Sequence, residues 1–508
     1  MSTRSAFVVR EKDVSGHLTS LYTDGDKVAS RVDESNKNRE VPVRLHTATR
    51  SWRQFLGEVF LPEGYPATVS EDYLEYQIYN ALQAFCSSLA SLFASRAVLQ
   101  GHGVGDASAS ATNAILLTVL QDVCSRLTTI VGGYYLGTSL TPEAKTYRLL
   151  ADILNDAAII SDTLSPYLAF VTLSAQYPFV KPGTNSSLRV VALCLSGAFR
   201  ALCGAVAGGS KAALTVHFAT DGHRPGDVGD LSAKDGSKET VLALLGMLCG
   251  SVVVHYVHSA QATYAVLFGL IFFHLAFNAM AVRVISMRYF NRQRASIAWR
   301  QYRSTLDSKG RPTPKTGVPT YAVVSHHEKI FTDSSWIDCG GTLPARVTLG
   351  ATFALLRHPK AASESWLYGF KTRPRSRHDA LSDAEVVALL RAFADEKYIL
   401  TIAPASPARP LHVLVSFKEG HSARDHLKAW AHAHEVAWMC GGKTPAEFEA
   451  RLGAVGAALE SVARIFPGFV DAAKAAGWKV DEGALVGGSP VALSVELVER
   501  GGKSRLGA

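Results

Sequence analysis

From Phe60 to about Met287 the chain alternates long apolar runs with short polar breaks. Tyr73–Leu99 reads as a helix, with Ser70 as N-cap and Glu71 and Asp72 in the first turn. Its second half is apolar and carries Ala84, Ser87, Ser88, Ser91 and Ser95 at three- and four-residue spacing. Such a stripe of small side chains lets membrane helices approach closely. Gly101–Asp106 reads as a glycine hinge, after which Ala107–Leu120 resumes as a helix. Leu188–Phe218 predicts an apolar helical pair, interrupted at Gly204 and at Gly208-Gly209. Ser232–Glu239 is read as the cap of a helix over Thr240–Val257, and Ala262–Ile285 is the most hydrophobic segment. At 1.5 Å rise per residue, roughly 20 residues cross a hydrocarbon core. Ala262–Ile285 meets that length clearly and Val241–Val257 marginally.

The flanks differ. Residues 1–59 read as a polar N-terminal extension, with an edge strand where Val41, Val43 and Leu45 alternate with polar neighbours, and a short amphipathic helix near Trp52–Phe60. Residues 60–290 form the helical core domain, 291–320 a basic Pro/Thr linker, and 321–508 a soluble α+β domain. In the last, Tyr398–Ala403 and Leu411–Phe417 read as a hairpin. Ser422–Ala437 and Ala446–Ile465 read as helices, and Val491–Leu497 as a final strand. The expected fold is mainly α, a multi-helix membrane-embedded bundle followed by a smaller α+β C-terminal domain.

Composition sharpens this. Charged residues make up 19% of the chain, below the roughly 25% of a typical soluble domain. Much of the net charge of +8 falls within Arg283–Arg311, directly after the most apolar segment. That placement predicts a cytosol- or matrix-side C-terminal part beside an anionic lipid membrane, and no nucleic-acid partner. The seven cysteines form no C-x-x-C pair and read as buried thiols. No apolar h-region opens the chain, so no cleavable signal peptide is expected. The expected location is an integral membrane of an intracellular organelle. His421, His426, His432 and His434 lack metal-site spacing and are read as surface histidines, with no metal.

Candidate chemistry rests on ionisable groups in apolar surroundings, which are costly and therefore tend to be functional. Asp152 and Asp156 lie one turn apart on one predicted helix face, with Asn155 alongside. A solvated acidic face partnered by Lys145 and Arg148 is the plain reading, and a polar site lining a cavity in the bundle the sharper one. With Asp106, Arg148, Lys234, Asp235 and Glu239 they make up the candidate substrate contacts. Lys234 and Arg148 would meet an anionic group such as phosphate, and the carboxylates a cation or a coupling proton. Lys234 is also the lysine a Schiff base to pyridoxal phosphate would need. No partner for a pyridine nitrogen is evident beside it, so no cofactor and no enzyme activity are expected. Val104–Ala109 and Val228–Ala233 share a V-G-D-x-S-A pattern before an apolar helix, a hint of internal repetition.

Several ordered blocks resemble the root UVB sensitive family. They are Phe60–Pro66, Leu82–Leu89, Arg96–Leu99 with Gly103–Asp106, Ala109–Thr112, Tyr147–Asp156, Gly208–Thr215 and Ser232–Thr240. They span nearly half the chain; the C-terminal part, with Phe469 and Gly477-Trp478, resembles the family more loosely. The resemblance implies a eukaryotic protein with membrane segments, no established enzyme activity and ties to vitamin B6 homeostasis. No catalytic residues are carried over. Two functional readings follow: a transporter or carrier of a small polar metabolite, and a membrane-anchored scaffold acting through its C-terminal domain, its partner a paralogous family member or a second copy.

Overall fold

The computed structural model describes residues 8–12, 18–23, 52–101, 111–137, 139–168, 187–307, 310–311, 313, 317–338, 344–358, 380–404, 410–483, 485–486 and 491–496. The expected strand over 41–45 and the loop holding Asp106 lie outside them. The chain divides into two compact units. The first comprises Met1–Arg126, Ala151–Cys203 and Lys211–Ile285; the second comprises Leu127–Leu150, Gly204–Ser210 and Ser286–Ala508.

The first unit opens with an antiparallel hairpin of β1 (Val8–Lys12) and β2 (Leu18–Thr23). Helices follow: α1 (Trp52–Phe60), α2 (Tyr73–Gly101), α3 (Ala111–Leu136), α4 (Ala144–Leu168), α5 (Ser187–Thr220), α6 (Val228–Tyr256) and α7 (Ala260–Val284). Three of them, α3, α4 and α5, also contribute residues to the second unit. The unit is built around α2, which packs on α6 and α7. Its inward face starts polar with Tyr73, Gln77, Asn80 and Gln83, then turns apolar with Ala90, Phe93 and Ala94. That spacing of three and four keeps one face inward.

Two sequence expectations need correction here. Leu188–Phe218 is not a broken pair, because α5 runs without interruption through Gly204, Gly208 and Gly209. An apolar environment offers no water to compete for the helical hydrogen bonds, so glycine there need not break a helix. Ser232–Glu239 is not a cap either. The helix starts earlier, at Val228, where the Asp227 carboxylate accepts from the amides of Gly229 (2.7 Å) and Asp230 (3.4 Å). Lys234, Asp235 and Glu239 therefore stand on α6 itself. Where α6 crosses α2, close approach requires glycine: a Cβ on Gly250 would lie 2.4 Å from a Leu92 methyl, and one on Gly246 2.7 Å from Ser88 Cβ.

Among the described residues, six helices qualify as membrane spans by length and composition: Tyr73–Gln100, Ile115–Leu136, Leu188–Thr220, Val228–Tyr256, Gln261–Val284 and Phe448–Ala475. The sixth, treated below, differs from the other five. The outward faces of the others are apolar: Ile130 is 69% exposed, Tyr134 77% and Phe272 66%, with Leu116, Leu248 and Val252 also exposed.

The second unit contains β3 (Tyr289–Phe290), α8 (Arg292–Ser304), α9 (Tyr321–His327), β4 (Trp336–Ile337), β5 (Ala345–Leu349), α10 (Phe353–Arg357) and α11 (Asp383–Ala392). Then come β6 (Tyr398–Ile402), β7 (His412–Lys418), α12 (Ala423–Met439), α13 (Phe448–Ala475), β8 (Lys479–Gly483) and β9 (Ala492–Leu493). The main sheet has the order β4-β5-β7-β6, with β9 pairing parallel to β7. The β6–β7 pair is the antiparallel hairpin expected from the sequence. Capping boxes fix two helix starts, Ser382 with Glu385 on α11 and Ser422 with Asp425 on α12.

Residues 291–320 are not simply a linker, since α8 occupies 292–304 and buries Arg294, Trp299 and Tyr302 in this unit's core. The basic cluster is largely spent on internal pairs. Arg294 meets Glu328 (3.0 Å), Arg303 meets Glu435 (3.1 Å), Arg300 meets Asp338 (3.0 Å) and Arg311 meets Asp307 (2.8 Å). Burial pushes the Glu328 carboxyl up, but Arg294 and Lys145 outweigh it and hold it down at about 2. The sixth apolar helix, α13, packs Val462, Ile465, Phe466 and Phe469 into this core and turns Glu449, Glu460, Arg464 and Asp471 outward. It is an amphipathic core helix, apolar for that reason.

The histidines of α12 are not surface groups. His432 is fully buried, its Nδ1 3.2 Å from the Tyr398 hydroxyl and its Nε2 3.0 Å from the Val455 carbonyl. His434 is buried against Ser296 Oγ at 2.9 Å. Burial in a domain core holds both in the neutral form, pushing His432 down to about 4 and His434 to about 3.

Candidate functional site

The interior of the first unit is where the polarity of the chain is inverted. Asp156 is 3% exposed and His274 1%, inside helices whose outer faces are apolar. On α4, Asp152, Asp156, Ile159 and Thr163 share the buried face. On α7 the buried stripe is Leu267, Ile271, His274, Asn278 and Ala281, so two polar side chains interrupt an otherwise apolar seam. These stripes meet at His274. Its Nδ1 lies 2.9 Å from both oxygens of Asp156, and its Nε2 lies 2.8 Å from Gln83 Oε1 and 4.0 Å from Asp152 Oδ1. Gln83 in turn donates from Nε2 to Asn80 Oδ1 (3.0 Å). Asn155 donates to Ser87 Oγ (3.0 Å), tying α4 to α2 beside the chain.

Asn80 connects this chain to a cavity of about 280 Å³ bounded by Phe60, Gln77, Asn80, Lys238, Glu239 and Leu242. Gln77 is buried there, and its Nε2 has no hydrogen-bond partner. A buried amide donor left unsatisfied costs about 1–3 kcal/mol unless something accepts from it. Lys238 is held by Asp235 Oδ1 (2.7 Å) and donates to the Tyr73 hydroxyl (2.7 Å), which itself donates to Asp235 (3.0 Å). Glu239 pairs with Lys211 at 2.8 Å. Near the end of α5, His217 sits between two carboxylates, 2.7 Å from Asp221 and 2.9 Å from Asp72, closing the start of α2 onto α5. The cavity thus offers a cation, a carboxylate and two amides beside an aromatic ring, a set suited to a small, hydroxylated or zwitterionic molecule.

The sequence candidates fall into separate groups. Asp152 and Asp156 are buried around His274 and Asn155 is half-buried beside Ser87, so they are not a solvated acidic face, and Lys145 pairs with Glu328 (2.8 Å). Glu239 lines the cavity, and Asp235 supports it through Lys238. Lys234 is half-buried on α6 and is not among the cavity walls. Arg148 belongs to the second unit, and Asp106 lies outside the described residues. Sequence reasoning missed His274, Gln83, Gln77, Asn80, Tyr73 and Lys238. For His274 the signal was present: His274 and Asn278 at i,i+4 are the two strongly polar residues within Ala262–Val282.

Comparison with known proteins now places the chain. The profile of the family described as "Vitamin B6 photo-protection and homoeostasis domain" matches residues 46–305. The chain is 33% identical over 247 residues to "RUS family member 1" of Dictyostelium discoideum, covering 48% of this chain and 43% of that protein. It is 32% identical over 247 residues to "Protein root UVB sensitive 3" of Arabidopsis thaliana, covering 48% of this chain and 51% of that protein. The match therefore spans about half the length of these relatives. A more distant Arabidopsis relative, "Protein root UVB sensitive 5", is 22% identical over 377 residues, 72% of this chain and 62% of its own. No solved structure matches the chain. With a family profile spanning half its length and the His274 chain and its cavity both inside the matched region, the protein belongs to the root UVB sensitive family.

Proposed function

We propose that the helices of the first unit are embedded in a lipid membrane and that this unit carries a small polar metabolite, bound in the cavity bounded by Gln77, Asn80, Lys238 and Glu239. The observation that carries this reading is the inverted polarity. Asp156, His274, Gln83 and Asn278 are buried while Ile115, Leu116, Leu248 and Phe272 are exposed. In water that arrangement would leave a large apolar surface uncovered. In a bilayer the outer faces are solvated by lipid, and interior polar groups mark a substrate or ion path. The family's description supplies the first substrate class to test, the vitamers of B6.

Uptake of radiolabelled B6 vitamers into proteoliposomes carrying the full chain tests it. Saturable uptake, reduced by Lys238→Met and by Gln77→Leu, is the expected result. Uptake no greater than in protein-free vesicles for every vitamer would refute the reading.

A second reading, a scaffold, has one observation in its favour. The second unit bears a cleft of about 610 Å³ bounded by Trp299, Arg300, Arg303, His327, Asp338 and Trp438. Trp438 is exposed, with Arg303 stacked 5.0 Å from its ring. Tryptophan and arginine together are typical anchors of protein interfaces. Trp438→Ala would then abolish association with a paralogue or second copy in co-purification and leave vitamer uptake intact.

A further inference from the structure

The part of α3 that belongs to the first unit, residues 111–126, carries charge where lipid would have to meet it. It is partly buried at Leu117, Gln121, Cys124 and Ser125, a spacing that makes one helix face. That face sits on α5, where Gly197 allows close approach: a Cβ there would lie 2.7 Å from Ser125 Oγ and 2.8 Å from Gln121 Cγ. The opposite face presents Ile115, Val119, Asp122 and Arg126, all exposed, with Leu116 and Val123 beside them. Charges elsewhere on the spans are answered from within the unit. Exposed Arg200 on α5 meets Asp162, and Lys211 meets Glu239 at 2.8 Å. Asp122 and Arg126 make no ion pair and no side-chain hydrogen bond among the described residues.

Their depth makes this costly. Ile115–Leu136 is a 22-residue span, about 33 Å long at 1.5 Å per residue. Asp122 stands about 10 Å from the nearer end of that span and Arg126 about 15 Å. The short aspartate side chain cannot reach the headgroups from there, and arginine reaches them only near a helix end. Pairing the two within one helix would still leave both head groups facing hydrocarbon. Lipid solvates exposed Leu248 and Phe272 but not these two.

We propose that this face of α3 binds the same face of a second copy in the membrane. The inference rests on the membrane reading above and adds a partner to it. The charges point to a second copy: one strip offers both an acid and a base, so it is complementary to itself, as a twofold contact requires. Two copies inserted with the same orientation are related by an axis along the membrane normal, which lays their α3 helices parallel. Asp122 of one copy then stands one turn, about 6 Å along the helix, from Arg126 of the other, within reach of the arginine side chain. The axis repeats the contact, so two ion pairs form and the helices around them exclude lipid. Val119 and Ile115, one and two turns before Asp122, extend the strip as an apolar seam, and Leu116 and Val123 flank it.

The test uses the full chain fused at its C-terminus to a donor or an acceptor fluorescent protein. Both are reconstituted into phosphatidylcholine vesicles, which are then washed with alkaline carbonate. Wild-type copies should transfer energy, and the transfer should persist as the lipid-to-protein ratio is raised. Asp122→Arg makes the strip wholly basic and Arg126→Asp wholly acidic, so each variant alone should lose the transfer. Donor-tagged Asp122→Arg mixed with acceptor-tagged Arg126→Asp should regain it, because opposite strips then meet. Protein washed out of the vesicles overturns the membrane reading and the dimer with it. Retained wild-type protein whose transfer vanishes on dilution overturns the dimer alone, a result that needs no variant. Transfer undiminished in each variant puts the contact on another surface, such as that around Trp438, and overturns the proposal too. A mixture no better than either variant alone, with both retained after the wash, assigns the two charges to each other within one helix and likewise overturns it.

Discussion

Replacing Arg294 by methionine should be among the most damaging single substitutions in the second unit. The side chain is 2% exposed; it donates to Glu328 Oε1 (3.0 Å) and to the Tyr289 carbonyl (2.9 Å) and lies over the Tyr289 ring. Glu328 is otherwise held by Lys145 Nζ at 2.8 Å. Glu143 lies in the same network: burial pushes its carboxyl up, Arg294 pulls it down, and Asn291 donates to it at 3.2 Å. Without Arg294, two buried carboxylates share too little positive charge. Breaking a buried pair by removing one partner costs about 3–5 kcal/mol, because the other charge stays buried. For a domain of some two hundred residues that corresponds to a drop in Tm of roughly 10 °C. Six of the seven tryptophans follow residue 285, so tryptophan fluorescence during thermal unfolding of the full chain in detergent reads this unit. The double variant Arg294→Met/Glu328→Gln removes the stranded charge and should be more stable than Arg294→Met alone. A single variant that loses less than about 1 kcal/mol, or a double variant that loses the sum of the two singles, would refute the argument.

The second unit should also weaken in mild acid. His412, His426 and His432 are held down to about 4 and His434 to about 3, burial being the largest cause in each. The unfolded chain therefore binds more protons below about pH 6.5. Stability is fully present above that pH and is lost as pH falls toward 4, at up to about 1.4 kcal/mol per pH unit for each histidine. Tm measured from pH 7 down to pH 5 should fall steadily, and a flat profile would contradict the burial of these rings. In the first unit, Gly246→Val places a branched side chain where even a Cβ would lie 2.7 Å from Ser88 Cβ and 3.2 Å from the Phe85 carbonyl oxygen. Overpacking of that kind costs about 1–3 kcal/mol, seen as a lower Tm and a broadened size-exclusion peak in detergent. An unchanged melt would mean that α6 and α2 do not pack this closely.

Helix type and rough position were legible where apolar runs were long. The run after Ala262 became α7, and the hairpin at Tyr398–Phe417 was visible from two apolar runs flanking its intervening prolines. Helix ends were less legible. Gly204 and Gly208-Gly209 looked like breaks but lie inside α5, because glycine marks a turn in water and a packing or neutral position in a bundle. The site was half visible. Asp152 and Asp156 stood out as carboxylates in apolar context, yet their partner His274 lies 118 residues beyond Asp156, in the most apolar segment. Pairing over such a separation is a product of the fold and leaves no local pattern. The basic cluster misled in a similar way. Arg294 and Arg303 read as a membrane-facing charge, whereas the fold pairs them internally with Glu328 and Glu435.

The measurement that bears most directly on the central claim is alkaline carbonate extraction of membranes from cells expressing the full chain. The inverted polarity of α2 to α7 predicts that the protein stays in the membrane pellet with marker integral proteins. It predicts, in addition, that a photoactivatable lipid labels α3 and α7 at outward residues such as Tyr134 and Phe272, and spares the buried face at His274. Release of the protein into the supernatant, with no lipid labelling of these helices, would contradict it. The exposed apolar faces would then have to be covered by another protein surface.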